Sequence, residues 1–233
     1  MSKCAVITGT SSGIGQATAV RLLDNGYRII GISRRPNVNI RHKYYSEFLC
    51  DLADLPQVST CMKKISTENP DIDAVVLNAG SGRFGHLEQF SVDQIDTLIR
   101  LNLTSPLIVA RHFVPRLKSR PLGNLVFIGS ESALSGGARG SVYAATKFGL
   151  RGAAQSLRSE CAASNLRITI INPGMVKSPF FDELSFEPDS SPEAHLLPDD
   201  VAGAVLQSLS SRLGAVYDEI NISPQKTIVR HKK

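Results

Sequence analysis

No stretch of this chain stays apolar long enough to cross a bilayer, which sets aside a membrane-spanning protein and a membrane partner. Cysteine is sparse: Cys4, Cys50, Cys61 and Cys161 never fall in the C-x-x-C spacing of a metal site. Cys4 and Cys50 sit in strand-like apolar runs, Cys61 and Cys161 in helical ones, so all four read as reduced structural thiols of a cytoplasmic protein. The histidines (His42, His86, His112, His195, His231) stand apart without ligand spacing, and no metal is expected. A basic stripe is also missing. Apart from Arg34-Arg35 and Arg230-His231-Lys232-Lys233 the cations are scattered, so the net charge of +5 reads as solvated surface and no nucleic-acid partner is expected. The terminal cluster reads as a mobile tail. Met1-Ser2-Lys3-Cys4 leads directly into a strand-like run and lacks a signal-peptide layout.

What is present suits one α/β domain over residues 1–233, with 42% hydrophobic and 20% charged residues. Strand-like runs are expected at Lys3–Thr8, Arg28–Ser33, Ser46–Asp51, Ala74–Asn78, Asn124–Gly129, Arg167–Asn172 and Ala215–Ile222. Helical stretches are expected near Ile14–Asn25, Leu55–Thr67, Val92–Leu103, Leu107–Ser119, Val142–Ala163 and Asp199–Leu213. The alternation implies a doubly wound parallel sheet of about seven strands with helices on both faces. Ligands of such sheets bind at the carboxyl ends of the strands.

Two motifs fall at such ends. Thr8-Gly9-Thr10-Ser11-Ser12-Gly13-Ile14-Gly15 follows the apolar run Cys4-Ala5-Val6-Ile7 and opens a helix. Free N–H groups and the positive dipole end of that helix make an anion site, and the glycines let a pyrophosphate approach. A tight βα turn without a ligand would look the same. The second motif is Tyr143-Ala144-Ala145-Thr146-Lys147, preceded by Ser130. Tyrosine and lysine at i and i+4 share a helix face, and an ammonium beside a phenol is expected to lower its pKa and make it a usable general acid.

Together these residues resemble the short-chain dehydrogenase/reductase family. T-G-x-x-x-G-I-G (Thr8 to Gly15), Asn78-Ala79-Gly80, Asn102, Ser130, Tyr143 with Lys147, and Asn172-Pro173-Gly174 match its motifs in order. The resemblance runs from Cys4 to about Ser178 and more loosely to the end. It implies a single-domain Rossmann fold and hydride transfer between a nicotinamide and a small alcohol or carbonyl compound. Tyr143 would move the proton, Lys147 would tune it and bind the nicotinamide ribose, Ser130 would hold the substrate oxygen, and Asn102 would hold a relay water or act as a structural amide. Ser132 is a rival to Ser130, disfavoured by its spacing to Tyr143.

The cofactor-binding set implied is Gly9, Ser11, Ser12, Gly13, Ile14, Gly15, Asn78, Ala79, Gly80, Tyr143, Lys147, Pro173, Gly174, Val176 and Ser178, with Asp51 and Leu52 at the adenine. Asp51 could equally be a turn or capping residue. Ser33 stands where NAD-dependent members carry a carboxylate, and Arg34 and Arg35 follow, so NADP(H) is expected.

The polar segment from Pro179 to Pro198, with Phe180, Phe181, Leu184 and Phe186, reads as a mobile loop, either a substrate lid or a loop anchored by its phenylalanines. Gly149 and Gly152 on the Tyr143 helix suit close helix contact or core packing; the resemblance implies a homodimer or homotetramer. The ending Asp218-Glu219-Ile220-Asn221-Ile222-Ser223-Pro224-Gln225 looks like that of bacterial NADP-dependent 3-hydroxy acid (serine-type) dehydrogenases. A 3-oxoacyl-thioester reductase and a non-catalytic NADPH sensor are the competing readings.

Overall fold

The computed structural model describes residues 3–232. Seven strands form one parallel sheet: β1 Cys4–Thr8, β2 Arg28–Ser33, β3 Tyr45–Leu49, β4 Ile72–Leu77, β5 Gly123–Ile128, β6 Leu166–Pro173 and β8 Glu219–Ile222, in the order β3-β2-β1-β4-β5-β6-β8. The order in which strands are added reverses between β1 and β4, which leaves a crevice at their carboxyl ends. This is the doubly wound Rossmann arrangement that the alternation predicts.

Side chains alternate across the strands, and both faces are covered. Cys4, Val6, Ile30 and Ile32 point to the face packed by α2 (Leu55–Glu68), α4 (Ser105–Lys118) and α5 (Ser141–Glu160). Ala5, Ile7 and Ile29 point to the face packed by α1 (Gly13–Asp24) and α6 (Pro198–Ser210). Two buried faces explain why the strands read as continuous apolar runs. No helix among the described residues is long and apolar enough to cross a membrane.

Three expectations are corrected. The stretches near Val92–Leu103 and Leu107–Ser119 are one helical run: α3 (Val92–Ile99) passes through a π turn at Arg100–Thr104 directly into α4. Pro106 sits at the start of α4 and has no N–H to give to the carbonyl four residues back, that of Asn102, so the ladder loosens there.

The segment from Pro179 to Pro198 is not patternless. It holds short 3₁₀ turns at Pro179–Phe181 and Pro192–Ala194 and the strand β7, Phe186–Pro188. The terminal cluster is not a free tail either. Arg230 and His231 belong to β9 (Val229–His231), which pairs antiparallel with β7, and the Lys232 ammonium donates to the carbonyl oxygens of Phe181 and Asp182. Met1, Ser2 and Lys233 lie outside the described residues.

Candidate active site

A cleft of about 730 Å³ runs along the carboxyl ends of the strands. One end is the glycine turn. Gly9 has φ +77°, and a Cβ there would lie 2.8 Å from Asn78 Nδ2 and 3.0 Å from Ala79 Cα. A Cβ on Gly15 would lie 2.1 Å from the Gly9 carbonyl oxygen. Only glycine allows the turn to fold this tightly onto α1. Ser12 caps α1 without a side-chain bond to its first N–H groups, so these stay available to an anion. Ser11, Ser12, Gly13 and Ile14 line the cleft, while Gly15 is buried behind it.

Thr8 and Asn78 weld the switch point. Thr8 Oγ1 accepts from Asn78 N at 2.9 Å and Ala79 N at 3.0 Å, and Asn78 Nδ2 donates to Thr8 O at 2.9 Å. Beside them a Cβ on Gly80 would lie 3.2 Å from Asn102 Oδ1 and 3.8 Å from Lys147 Nζ. The cleft floor therefore runs unbroken from Gly9 to Lys147.

The expected catalytic residues converge at the other end. Ser130 lies two residues beyond β5, and its hydroxyl accepts from Ser132 N at 3.1 Å, so Ser132 serves as a backbone donor to it. Tyr143 and Lys147 lie one turn apart on α5, both nearly inaccessible to solvent. Lys147 Nζ stands 5.7 Å from the Tyr143 ring centroid and donates to Ile128 O at 3.1 Å. Asn102, buried in the π turn, accepts from Ser81 N at 3.0 Å and donates to Ser81 O at 2.8 Å. Its side chain is thus a structural clamp, and its main-chain carbonyl is the group Pro106 leaves without a helical donor.

Electrostatics here differ from the sequence expectation. Burial pushes the Tyr143 phenol up to about 12; Ser130 holds it down in part, while Glu131 raises it. Burial also pulls Lys147 down to about 8. Desolvation of the charged phenolate dominates, and no lowering of the phenol by the lysine is seen. At neutral pH the pair holds a protonated phenol beside a cation.

The end of the cleft beyond β2 and β3 is lined by Arg34, Arg35, Cys50 and Leu52. Both arginines are exposed. Ser33 also lines the cleft, and its Oγ, 2.6 Å from Arg35 O and 3.0 Å from Glu47 Oε1, shapes the turn that carries the arginines. Asp51 is not among the lining residues; its carboxylate accepts from Ala53 N at 2.9 Å, the turn role left open by the sequence. Pro173, Gly174, Val176 and Ser178 line the far wall beyond β6.

Among the lining residues that escaped sequence reasoning are Phe84, Glu131, Thr227 and Val229. They come from turns and from the tail, where no periodicity marks them. Glu131, next to Ser130, is the one with a signal, since a carboxylate beside a catalytic serine stands out by its charge. Among the described residues no three His, Cys, Asp or Glu side chains are grouped as a metal ion requires.

Comparison with known proteins agrees with this geometry. The family model described as short chain dehydrogenase matches residues 3–188. The chain belongs to that family. It is 29% identical over 230 residues to an uncharacterised oxidoreductase of Staphylococcus epidermidis, covering 95% of this chain and 97% of the relative. Among solved structures it is similar to an alcohol dehydrogenase from the archaeon Thermococcus sibiricus complexed with 5-hydroxy-NADP, with TM-score 0.85, 28% identity and coverage of 94% and 95% of the two chains. A 3-ketoacyl-(acyl-carrier-protein) reductase from Brucella melitensis complexed with NADH shares the fold at TM-score 0.84 and 21% identity, over 97% and 98%.

Proposed function

We propose that the protein is an NADP(H)-dependent oxidoreductase acting on a small alcohol or carbonyl compound through Ser130, Tyr143, Lys147 and Asn102. The observation that carries this reading is one continuous cleft, with an anion-binding glycine turn at one end and the buried Ser130, Tyr143 and Lys147 at the other. The residues fit a dinucleotide: a glycine floor that any Cβ would obstruct, free N–H groups at the start of α1, and two exposed guanidiniums at the end of β2. When bound, the nicotinamide supplies or accepts the hydride.

Gly9, Ser11, Ser12, Gly13 and Ile14 hold the pyrophosphate, and Arg34 and Arg35 pair with a 2′-phosphate. The Thermococcus relative's complex with an NADP derivative favours the same choice. Asn78, Ala79, Gly80, Pro173, Gly174, Val176 and Ser178 border the nicotinamide, and Leu52 borders the adenine. Ser130 hydrogen-bonds the substrate oxygen, and Tyr143, kept protonated by its burial, gives that oxygen a proton during carbonyl reduction. Lys147 orients the nicotinamide ribose and supplies positive charge beneath the phenol. The Asn102 carbonyl holds a water through which the proton on Tyr143 is replaced.

Residues 1–233 act as one dinucleotide-binding domain, with 179–198 as its substrate lid. The protein works in the cytoplasm as a homodimer or homotetramer, for which the exposed Phe148 on α5 and Leu107 on α4 offer an apolar contact. A thioester reductase calls for a basic mouth, whereas Asp182 and Glu183 line this one.

NADPH fluorescence titration beside a turnover screen of carbonyl compounds tests the reading. Binding with NADPH consumption is expected. Tight binding without consumption across a broad panel would make the protein a sensor.

A further inference from the structure

The substrate end of the cleft is built from rings. Phe84 and Phe180 flank Tyr143 at centroid distances of 5.2 and 6.0 Å. Phe186 closes the circle, 5.0 Å from Phe84 and 5.8 Å from Phe181, which in turn stands 5.1 Å from Phe180. Phe180 is pressed over Gly82, where a Cβ would fall 2.3 Å from its ring. These rings come from three separate segments, the turn after β4, α5 and the segment ahead of β7, and all of them line the same cleft.

Lys147 apart, the charged side chains lining this end are carboxylates. Glu131, Asp182 and Glu183 line it. Glu131 reaches across to β6, with Oε2 2.9 Å from where a Cβ on Gly174 would stand, and burial raises its carboxyl above the ordinary range. The cations lining the cleft are Arg34 and Arg35 at the end beyond β2 and β3 and Lys147, which is bonded to Ile128 O behind the phenol. Cations of the neighbouring tail are engaged elsewhere: Lys226 with Glu193, Arg230 with Glu187, Lys232 with the Phe181 and Asp182 carbonyls.

We propose that this pocket selects uncharged, apolar carbonyl compounds and their alcohols, aryl ones above all, and rejects substrates that carry a carboxylate near the reacting carbon. The proposal rests on the oxidoreductase reading and names its substrate class. An aryl group beside the reacting carbonyl meets offset and edge-on ring partners in Phe84 and Phe180. A carboxylate loses its hydration there and meets Glu131, while the ammonium at this end, that of Lys147, is held by Ile128 O behind the phenol. Hydroxy acids, put forward by the resemblance of the C-terminus, are therefore the wrong substrates.

A matched pair tests this. NADPH oxidation is measured with methyl 4-formylbenzoate and with 4-formylbenzoate, which differ in a methyl group and a charge. The ester is expected to exceed the acid in kcat/KM by at least about hundredfold, mainly through KM, in line with the several kcal/mol an unpaired charge loses on burial. Glu131→Gln should narrow that ratio at least about tenfold, as the loss of one like charge implies. Phe180→Ala should raise KM for the ester at least about fivefold more than it raises KM for propanal, because only the aryl substrate stacks on the ring. Equal turnover of acid and ester, or preference for the acid, overturns the proposal. If neither aldehyde is reduced although NADPH binds, the oxidoreductase reading has failed, and the pocket is judged by equilibrium binding of methyl benzoate and benzoate to the NADPH complex. Tighter binding of the ester upholds the selectivity, and equal or reversed affinity overturns it.

Discussion

Lys147 Nζ lies 5.7 Å from the centre of the Tyr143 ring, held there by its hydrogen bond to the Ile128 carbonyl at the end of β5. Helix α5 supplies both side chains and the sheet fixes the distance between them. The phenol keeps its proton at neutral pH, pushed up to about 12 by burial. Tyr143→Phe removes the proton donor and leaves the ring packed against Phe84 and Phe180. Turnover should fall about 10²- to 10⁴-fold, the range for loss of a general acid. NADPH affinity should stay within about threefold, since the hydroxyl is spent on the substrate oxygen. Steady-state kinetics and fluorescence titration of the same sample check it, and near-normal turnover would refute the role.

The lysine carries a stability cost that a pH series can read. Its pKa is lowered from 10.5 to about 8 by burial, so between those values the unfolded chain binds the extra proton. This group therefore destabilises the cofactor-free protein fully below pH 8, and the penalty disappears as pH rises to 10.5. At about 1.4 kcal/mol per unit the penalty is on the order of 3 kcal/mol. Lys147→Met, without cofactor, should be more stable than the natural chain at pH 7 by up to that amount. The gap between the two should close as pH approaches 10.5, and this closure distinguishes charge from altered packing. Urea denaturation at pH 7, 9 and 10.5 measures it; equal stability at pH 7 would contradict the buried, weakened ammonium.

The seven parallel strands and the helices between them were legible because each is a long apolar or amphipathic segment bounded by turn residues. That the glycine turn, Ser130, Tyr143 and Lys147 share one cleft was legible because the motifs set fixed residue types at fixed spacings and fall at strand ends. The β7–β9 ribbon was not. Each strand has three residues, and its partner lies some forty positions away, so neither carries a period of its own. The direction of the Tyr143 shift escaped for a related reason. Spacing i, i+4 reveals the neighbour, whereas desolvation is summed over every element packed around α5. Asn102 was recognised, but its π turn depends on Pro106 breaking a helical ladder that the periodicity had divided into two helices.

Arg34 and Arg35 stand exposed at the end of β2, above a turn braced by Ser33, Asn37 and Glu47. A 2′-phosphate offers a guanidinium a charged partner that the 2′-hydroxyl of NADH does not. Replacing Arg34 with alanine should weaken NADPH binding by about tenfold or more, as loss of a charge-assisted pair implies, and change NADH binding by less than about twofold. Arg34→Ala with Arg35→Ala should bring the two dissociation constants together. Equal weakening of both coenzymes would show that the arginines brace the turn and leave the phosphate unread.

The tail and the lid are joined by backbone as well as charge. Lys226 N donates to Glu193 O at 2.8 Å, Asp189 N to Ile228 O at 3.1 Å and Lys232 N to Ser185 O at 2.8 Å, and Thr227 and Val229 reach the cleft itself. Exposed ion pairs such as Lys226 with Glu193 add little to this. The strand pairing is what positions the lid. Deleting residues 226–233 removes β9 and leaves the seven-stranded sheet untouched. The shortened protein should bind NADPH within about threefold of the full chain, because the glycine turn and the arginines stand on β1, α1 and β2, in a different sheet from the ribbon. KM for the carbonyl substrate should rise by about tenfold or more, since the ring-lined pocket loses its outer wall and the bracing of Phe180 and Phe186. Limited proteolysis should find a new cleavage site between Asp182 and Ser190, where the unpaired strand becomes accessible. An unchanged KM together with an unchanged digestion pattern would mean that the lid holds its shape without the tail.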